Sequence, residues 1–280
     1  MREPLRFSLR HWWNYVLLFI LISGVLLWRF ARLDGRLVFA ALVIWLVAGR
    51  IFVPWIIHEH VGFFNRWVFN DYRKANQRYR QAVNSGRATG CAYCALGSLA
   101  YAEGDTHEAA RLLEEAAARM PGDVPLRVVL ARALINTGRL DEALEAAREC
   151  LAISLDNPLS HTVFGDAMVA KKDFTAAASA YQKALSLAPR AFEPHLKLGQ
   201  VYVELGYMDE AQQRLRQAMA LSPGNPDVLY WWGKLLYAQG DTKNARKTWQ
   251  KAVEHRPIGD HTYQVPYKEI IAALSRVNTP

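Results

Sequence analysis

Residues 158–191 read PLSHTVFGDAMVAKKDFTAAASAYQKALSLAPRA, and residues 192–225 read FEPHLKLGQVYVELGYMDEAQQRLRQAMALSPGN. Laid one above the other they share a small residue (Gly165, Gly199), a turn (Lys172-Asp173, Gly206-Tyr207) and an alanine (Ala177, Ala211). A bulky residue follows four places after the alanine (Tyr181, Leu215), and a proline closes each copy (Pro189, Pro223). The phase continues outward in both directions without insertion. The alanine recurs as Ala109, Ala143 and Ala245, the small residue as Gly97, Ala131 and Gly233, and the turn glycine as Gly104, Gly138 and Gly240. The proline returns at Pro121 and Pro257, with Leu155 the exception, as Lys172 is the exception among the turn glycines.

Each copy therefore holds one apolar-periodic segment, a tight turn and a second periodic segment, the pattern of two antiparallel helices. Residues four apart share a helix face, so the alanine and the bulky residue (Leu113, Tyr181, Leu215, Trp249) belong to one packing surface. A single pair cannot bury that surface alone, and stacking of neighbours follows. With its period of 34 residues the pattern resembles the tetratricopeptide repeat, over about three fifths of the chain. The resemblance implies an all-α fold: a right-handed α-solenoid of the tetratricopeptide type, in which the first helix of each pair lines a concave groove.

Carried onto this sequence, the family's groove positions are Cys91, Cys94, Ser98 and Tyr101, then Val128, Arg132 and Asn136, then Thr162, Asp166 and Val169. The fourth copy supplies Glu193, Leu196, Gln200 and Glu204, and the fifth Asp227, Tyr230, Lys234 and Tyr237. The resemblance implies a protein partner held there through Ser98, Tyr101, Arg132, Asn136, Asp166, Gln200, Glu204, Tyr230, Lys234 and Tyr237. Asp166, Glu193, Glu204 and Asp227 outnumber Arg132 and Lys234, which suggests a neutral or basic segment. The Lys/Asn clamp with which some members grip a C-terminal carboxylate is missing, since Cys94, Ser98, Val128 and Arg132 stand at its places.

The net charge of +8 is unevenly spread. Residues 1–89 carry thirteen Lys/Arg against four Asp/Glu, whereas residues 90–257 carry nineteen against twenty. A repeat array without a basic excess does not read as a nucleic-acid groove. Three cysteines without a disulfide-like framework suit a reducing compartment.

The basic N-terminal part reads as a two-helix transmembrane hairpin. Tyr15–Trp28 is apolar but for Ser23 and Gly24, with Trp12 and Trp13 extending it. Leu37–Ile57 is a second run broken by Arg50, and spanning a bilayer takes about 20 helical residues. A cleaved signal peptide is the competing reading of the first run, but a second run follows and no small-x-small cleavage site does. Arg29, Arg32 and Arg36 of the connector are outnumbered by Arg2, Arg6, Arg10, Arg66, Arg73 and Lys74, so both termini and the repeats are expected in the cytoplasm of a cell with the hairpin in its inner membrane. Arg50 reads either as an intramembrane contact or as a side chain snorkelling to the headgroups. Residues 55–69 suit an interfacial helix, and His58 and His60 lack the further ligands a metal needs. Ala75, Tyr79 and Ala82 hold the phase of a degenerate half-repeat.

The expected organisation is a tail and hairpin over 1–57 (spans about 12–30 and 37–57), then an interfacial helix and half-repeat over 58–89. Five repeats follow over 90–257 (90–123, 124–157, 158–191, 192–225 and 226–259), with a capping helix over 260–280. Chemistry is sparse. Cys91 and Cys94 form a C-x-x-C, which admits a thiol- or metal-dependent activity, but it sits inside a helix pattern with no second ligand pair. No phosphate-loop, H-E-x-x-H or G-x-S-x-G pattern is present, and neither a catalytic site nor a cofactor is expected. The expected role is a membrane-anchored scaffold or adaptor for protein–protein contacts, through the groove on one side and the lipid bilayer on the other.

Overall fold

The computed structural model describes residues 72–86, 88–256 and 264–278. The expected hairpin, Arg50 and the segment with His58 and His60 lie outside these residues, as does Pro257. No helix among the described residues is long and apolar enough to cross a membrane. The chain divides into two compact units, residues 1–92 and 93–280.

In the first unit, helix α1 (Tyr72–Asn84) buries Ala75, Tyr79 and Ala82 and exposes Arg73, Lys74 and Arg80. Helix α2 (Gly90–Glu103) begins there. The second unit holds the rest of α2 and α3 (Thr106–Arg119), then α4 (Val124–Asn136) with α5 (Leu140–Ile153) and α6 (Pro158–Ala170) with α7 (Phe174–Leu187). The pairs α8 (Phe192–Leu205) with α9 (Met208–Leu221) and α10 (Pro226–Ala238) with α11 (Thr242–Glu254) follow, and α12 (Tyr267–Asn278) packs on α11. All elements among the described residues are helical, without a strand.

Shape complementarity explains the repeat. A Cβ added at Gly165 would stand 2.5 Å from the Tyr181 ring, and one at Gly233 would stand 2.3 Å from Nε1 of Trp249. Gly97 and Gly199 face Leu113 and Leu215 in the same way. Only the second repeat differs: Ala131 and Ala147 occupy the two places, and both are fully buried. Where the second helix offers a large side chain the first offers none, and where it offers a methyl the first offers one too. The pairing keeps the interior dense, as close-packed cores require.

The turns use local chemistry. In four of the five a residue just past the first helix is a glycine at positive φ, and Lys172 takes the same conformation at 64°. The next backbone N–H then bonds back into the helix, from Asp173 to the Met168 carbonyl (2.9 Å) and from Asp241 to that of Leu236 (2.9 Å). Asp105, Asp173 and Asp241 also cap the second helices through their side chains, as Asp123, Asn157 and Asn225 cap first helices.

Three of the junctions between successive repeats are clasped by one side chain each. Arg127 Nε donates to the Pro121 carbonyl (3.0 Å), and His161 and His195 use Nε2 toward the carbonyls of Leu155 (2.7 Å) and Pro189 (2.9 Å). These three residues stand one repeat apart. The histidines thus hold the turn between repeats, and an unbroken clasp at Leu155 shows that the missing proline costs the junction nothing in register.

Candidate functional site

The first helices carry the expected groove residues at spacings of one repeat, and the structure sorts them into two kinds. The column Cys94, Val128, Thr162, Leu196 and Tyr230 is buried throughout, with Tyr230 8% exposed. Tyr230 is therefore not a groove-surface residue. Its ring packs edge-on to Trp231 at 5.5 Å, and its carbonyl accepts from Trp249 Nε1 at 2.9 Å. The expectation of three tyrosines offering contact area is corrected to two. Tyr237 is 45% exposed and Tyr101 is half-buried.

The column Ser98, Arg132, Asp166, Gln200 and Lys234 is more open, but its charges are engaged. Asp166 on α6 is buried and accepts from Tyr181 of α7 (2.7 Å), from Arg132 of α4 (3.2 Å) and from Lys197 of α8 (3.2 Å). Arg132 reaches on to Glu193 of α8 at 2.6 Å. Burial raises the Asp166 pKa, but Lys197 and Arg132, with the Tyr181 hydroxyl, outweigh it and hold the carboxyl below its ordinary value. The same burial opposes charge on Arg132, and Glu193 with Asp166 outweighs it, so the guanidinium stays charged at every accessible pH. Burial, and next to it the Asp166 charge, pushes the Tyr181 phenol well above its usual range, which keeps it a donor. Four helices of three repeats are tied together by this one cluster.

The rest of the face is quieter. Asn136 is exposed and donates to the Tyr101 hydroxyl (3.2 Å), joining the first and second repeats. Lys234 bonds Glu204 at 2.7 Å and lies 4.3 Å over the Trp231 ring. Ser98 and Gln200 are half-buried and make no side-chain hydrogen bond among the described residues. Val169 is half-buried.

The groove pattern treats Asp227 as a free acid. Instead it is buried and accepts two successive backbone N–H groups, from Gln264 and Val265, each at 2.9 Å. Arg256 donates to the Val265 carbonyl, so the segment before α12 is held on both edges. The acidic excess read from the sequence disappears as a result. Asp166, Glu193 and Glu204 are matched by Arg132, Lys197 and Lys234, and Lys197 is the residue the groove positions omit. Of the neutral or basic segment expected from that excess, the basic alternative loses its ground. Lys197 falls in a column with Val163 and Trp231, both buried, and the sequence signal for it is a charge standing in an apolar column.

Cys91 and Cys94 lie on α2, half-buried and buried respectively, inside a continuous helix. Burial pushes the Cys150 thiol up to about 11. Among the described residues no group of three His, Cys, Asp or Glu side chains is arranged to hold a metal ion.

An array of antiparallel helix pairs in constant register, with a small residue of each first helix seated on a large one of the second, is a helical repeat solenoid. Family comparison agrees with the register. A tetratricopeptide-repeat family model matches residues 100–162 and 208–257, and a second model of the same repeat matches 165–206. The chain belongs to the tetratricopeptide-repeat family. It is 29% identical over 180 residues to the bovine (Bos taurus) BBSome complex member BBS4, covering 63% of this chain and 33% of that one. It is 25% identical over 166 residues to the human (Homo sapiens) protein O-mannosyl-transferase TMTC1, covering 58% of this chain and 19% of that one. The chain thus spans a third or less of the length of these relatives. Among solved structures it is similar to TTC0263, a thermophilic repeat protein of Thermus thermophilus. There the TM-score is 0.60 at 25% identity, over 68% of this chain and 99% of that one.

Proposed function

We propose that the protein is a membrane-anchored scaffold whose repeat array receives a segment of a protein partner on the first-helix face. One observation carries the reading. Tyr237 and Asn136 stand exposed on that face, with Tyr101 half-buried beside Asn136, although the core does not need them there. Tyrosine supplies rigid contact area at low entropic cost and is enriched among residues that dominate interfaces. Because the neighbouring charges are already paired with one another, the segment received is neutral, and orientation comes from hydrogen bonds to Asn136, Tyr101 and Gln200. Membership of BBS4 in a protein complex supports the class of role. The fold itself is compatible with many functions.

Anchoring rests on the two apolar runs of the N-terminal part, which read as a hairpin in the inner membrane with both termini and the repeats cytoplasmic. Confinement beside the bilayer would raise the effective concentration of the groove for membrane partners. Photo-crosslinking from position 237 in membranes, followed by mass spectrometry, tests the reading. A specific crosslinked protein whose yield falls when Asn136→Ala is added is expected. Crosslinks that reach lipid only would overturn it. Membrane-impermeant maleimide labelling of cysteines placed at Asp34 and near Pro280 checks the orientation, with labelling in intact cells expected at Asp34 alone.

A further inference from the structure

The second helix of every repeat presents three outward positions at i, i+4 and i+8, and their charges differ sharply along the array. In α3 they are His107, Arg111 and Glu115, in α7 Thr175, Ser179 and Lys183, and in α9 Asp209, Gln213 and Gln217. Those sets are mixed or mostly neutral. In α5 they are Asp141, Glu145 and Glu149, and in α11 they are Lys243, Lys247 and Lys251. Two helices three repeats apart thus carry single-sign stripes of opposite sign, on the same face and at the same spacing. Eight residues of helix extend about 12 Å, so each stripe presents three charges along that length.

Among the described residues the basic stripe has no ion-pair partner, and the nearest acid acting on it is Asp241, whose charge Lys243 stabilises. Lys243, Lys247 and Lys251 are exposed, as is Arg246 beside them, and none of the four makes an ion pair among the described residues. The acids of α5 touch Lys171 (2.5 Å), Arg148 (3.7 Å) and Arg127, but they remain open to solvent. The Asp141 and Glu145 side chains are 93% and 67% exposed. A carboxylate has about four acceptor sites, so a second cation fits without displacing the first.

We propose that α11 of one copy docks on α5 of a second copy, its three lysines against the three acids. The two surfaces are different patches of one molecule. A one-way contact is heterologous and leaves each copy of a pair one unused stripe, whereas a reciprocal contact closes an isologous pair that uses both. Matched spacing on straight helices lets the three pairs form in register with no change of fold. Complementary stripes of this kind act mainly through steering and register, so the association is salt-sensitive.

The test uses the full chain in mild detergent, with sedimentation velocity over a concentration series at low and high salt. Concentration-dependent assembly that is lost at high salt is expected. Lys243→Glu, Lys247→Glu and Lys251→Glu together make both stripes acidic, and Asp141→Lys with Glu145→Lys makes both basic. Each variant alone should self-associate about tenfold or more weakly, because like charges now face each other. An equal mixture of the two should assemble again, and unchanged melting of each variant shows that the fold is intact. A wild-type chain that stays monomeric, or a mixture that fails to assemble, overturns the proposal. So does a basic stripe that drives binding to phosphatidylserine-containing vesicles while self-association is absent, which would assign it to the membrane surface.

Discussion

The second and fifth repeats follow the same pattern and use it in opposite ways. In the second, the seat between the helices is filled by Ala131 and Ala147, and all four cations are engaged: Arg127 with Glu149, Arg132 with Asp166 and Glu193, Arg139 with Glu142 and Glu114, and Arg148 with Glu145. In the fifth, the seat holds Gly233 against Trp249, and the cations of α11 make no ion pair among the described residues. The contrast separates what the repeat demands from what it leaves free. A first-helix residue small enough for what the second helix offers recurs from repeat to repeat, whereas the sign of charge on the outer face does not.

The sharpest way to break this comparison is to exchange the two seats. Trp249→Ala should cost about 3–5 kcal/mol by leaving a cavity, and Gly233→Ala about 1–3 kcal/mol by crowding the indole. Together they recreate the seat of the second repeat. The double variant should therefore be distinctly less destabilised in a denaturant titration than the sum of the singles. Strict additivity would mean that the two positions do not share a volume.

Charge comes next. Asp166→Ala strands Lys197 and the Tyr181 hydroxyl and leaves Arg132 with Glu193 alone, and should cost about 3 kcal/mol or more. The carboxyl has a depressed pKa in the folded chain. Its stabilisation is complete above the unfolded value of about 4 and is lost as pH falls through the lower folded value. Asp166→Asn should flatten the acid limb of the melting curve. A variant that loses stability equally from neutral to acid pH would separate Asp166 from that limb.

The tyrosines sharpen the comparison on the inner face. Tyr230→Ala should lower stability by about 2–4 kcal/mol, as for other large buried side chains. Tyr237→Ala should lower it by about 1 kcal/mol or less and act instead on partner capture. Thermal melting beside partner capture distinguishes them, and the reverse assignment would refute the sorting of the face made above. The smallest effect lies at the one turn without glycine. Lys172 holds a φ of 64°, and Lys172→Gly should stabilise the third repeat by about 0.5–1 kcal/mol. A lowered melting temperature would show that the lysine side chain contributes more than its backbone conformation costs.

The repeat was legible because its signals are local and recur. Gly165 with Tyr181, and Ala177 at the crossing, announce the packing at fixed spacing whatever surrounds them. The inner face was legible only in part. Tyr230 and Asp227 look alike in sequence as groove residues, but burial of Asp227 depends on Gln264 and Val265, more than a repeat away in the chain. Lys197 enters the Asp166 cluster because its stem is long enough to bring the ammonium within 3.2 Å from a buried column, a reach that periodicity does not encode. His161 and His195 give no signal in the sequence because their partners are carbonyls, which carry no sequence signature.

The bonds from Gln264 and Val265 to Asp227 have a consequence for how the array comes apart. In a stack that is stable through nearest neighbours, a terminal unit has only one neighbour and frays first. Here the last pair is fastened by its own chain: one carboxylate grips two consecutive amides, and Arg256 grips the carbonyl between them and α12. Opening the fifth repeat then requires releasing this segment as well. The fifth repeat therefore behaves as a bound unit rather than a loose one.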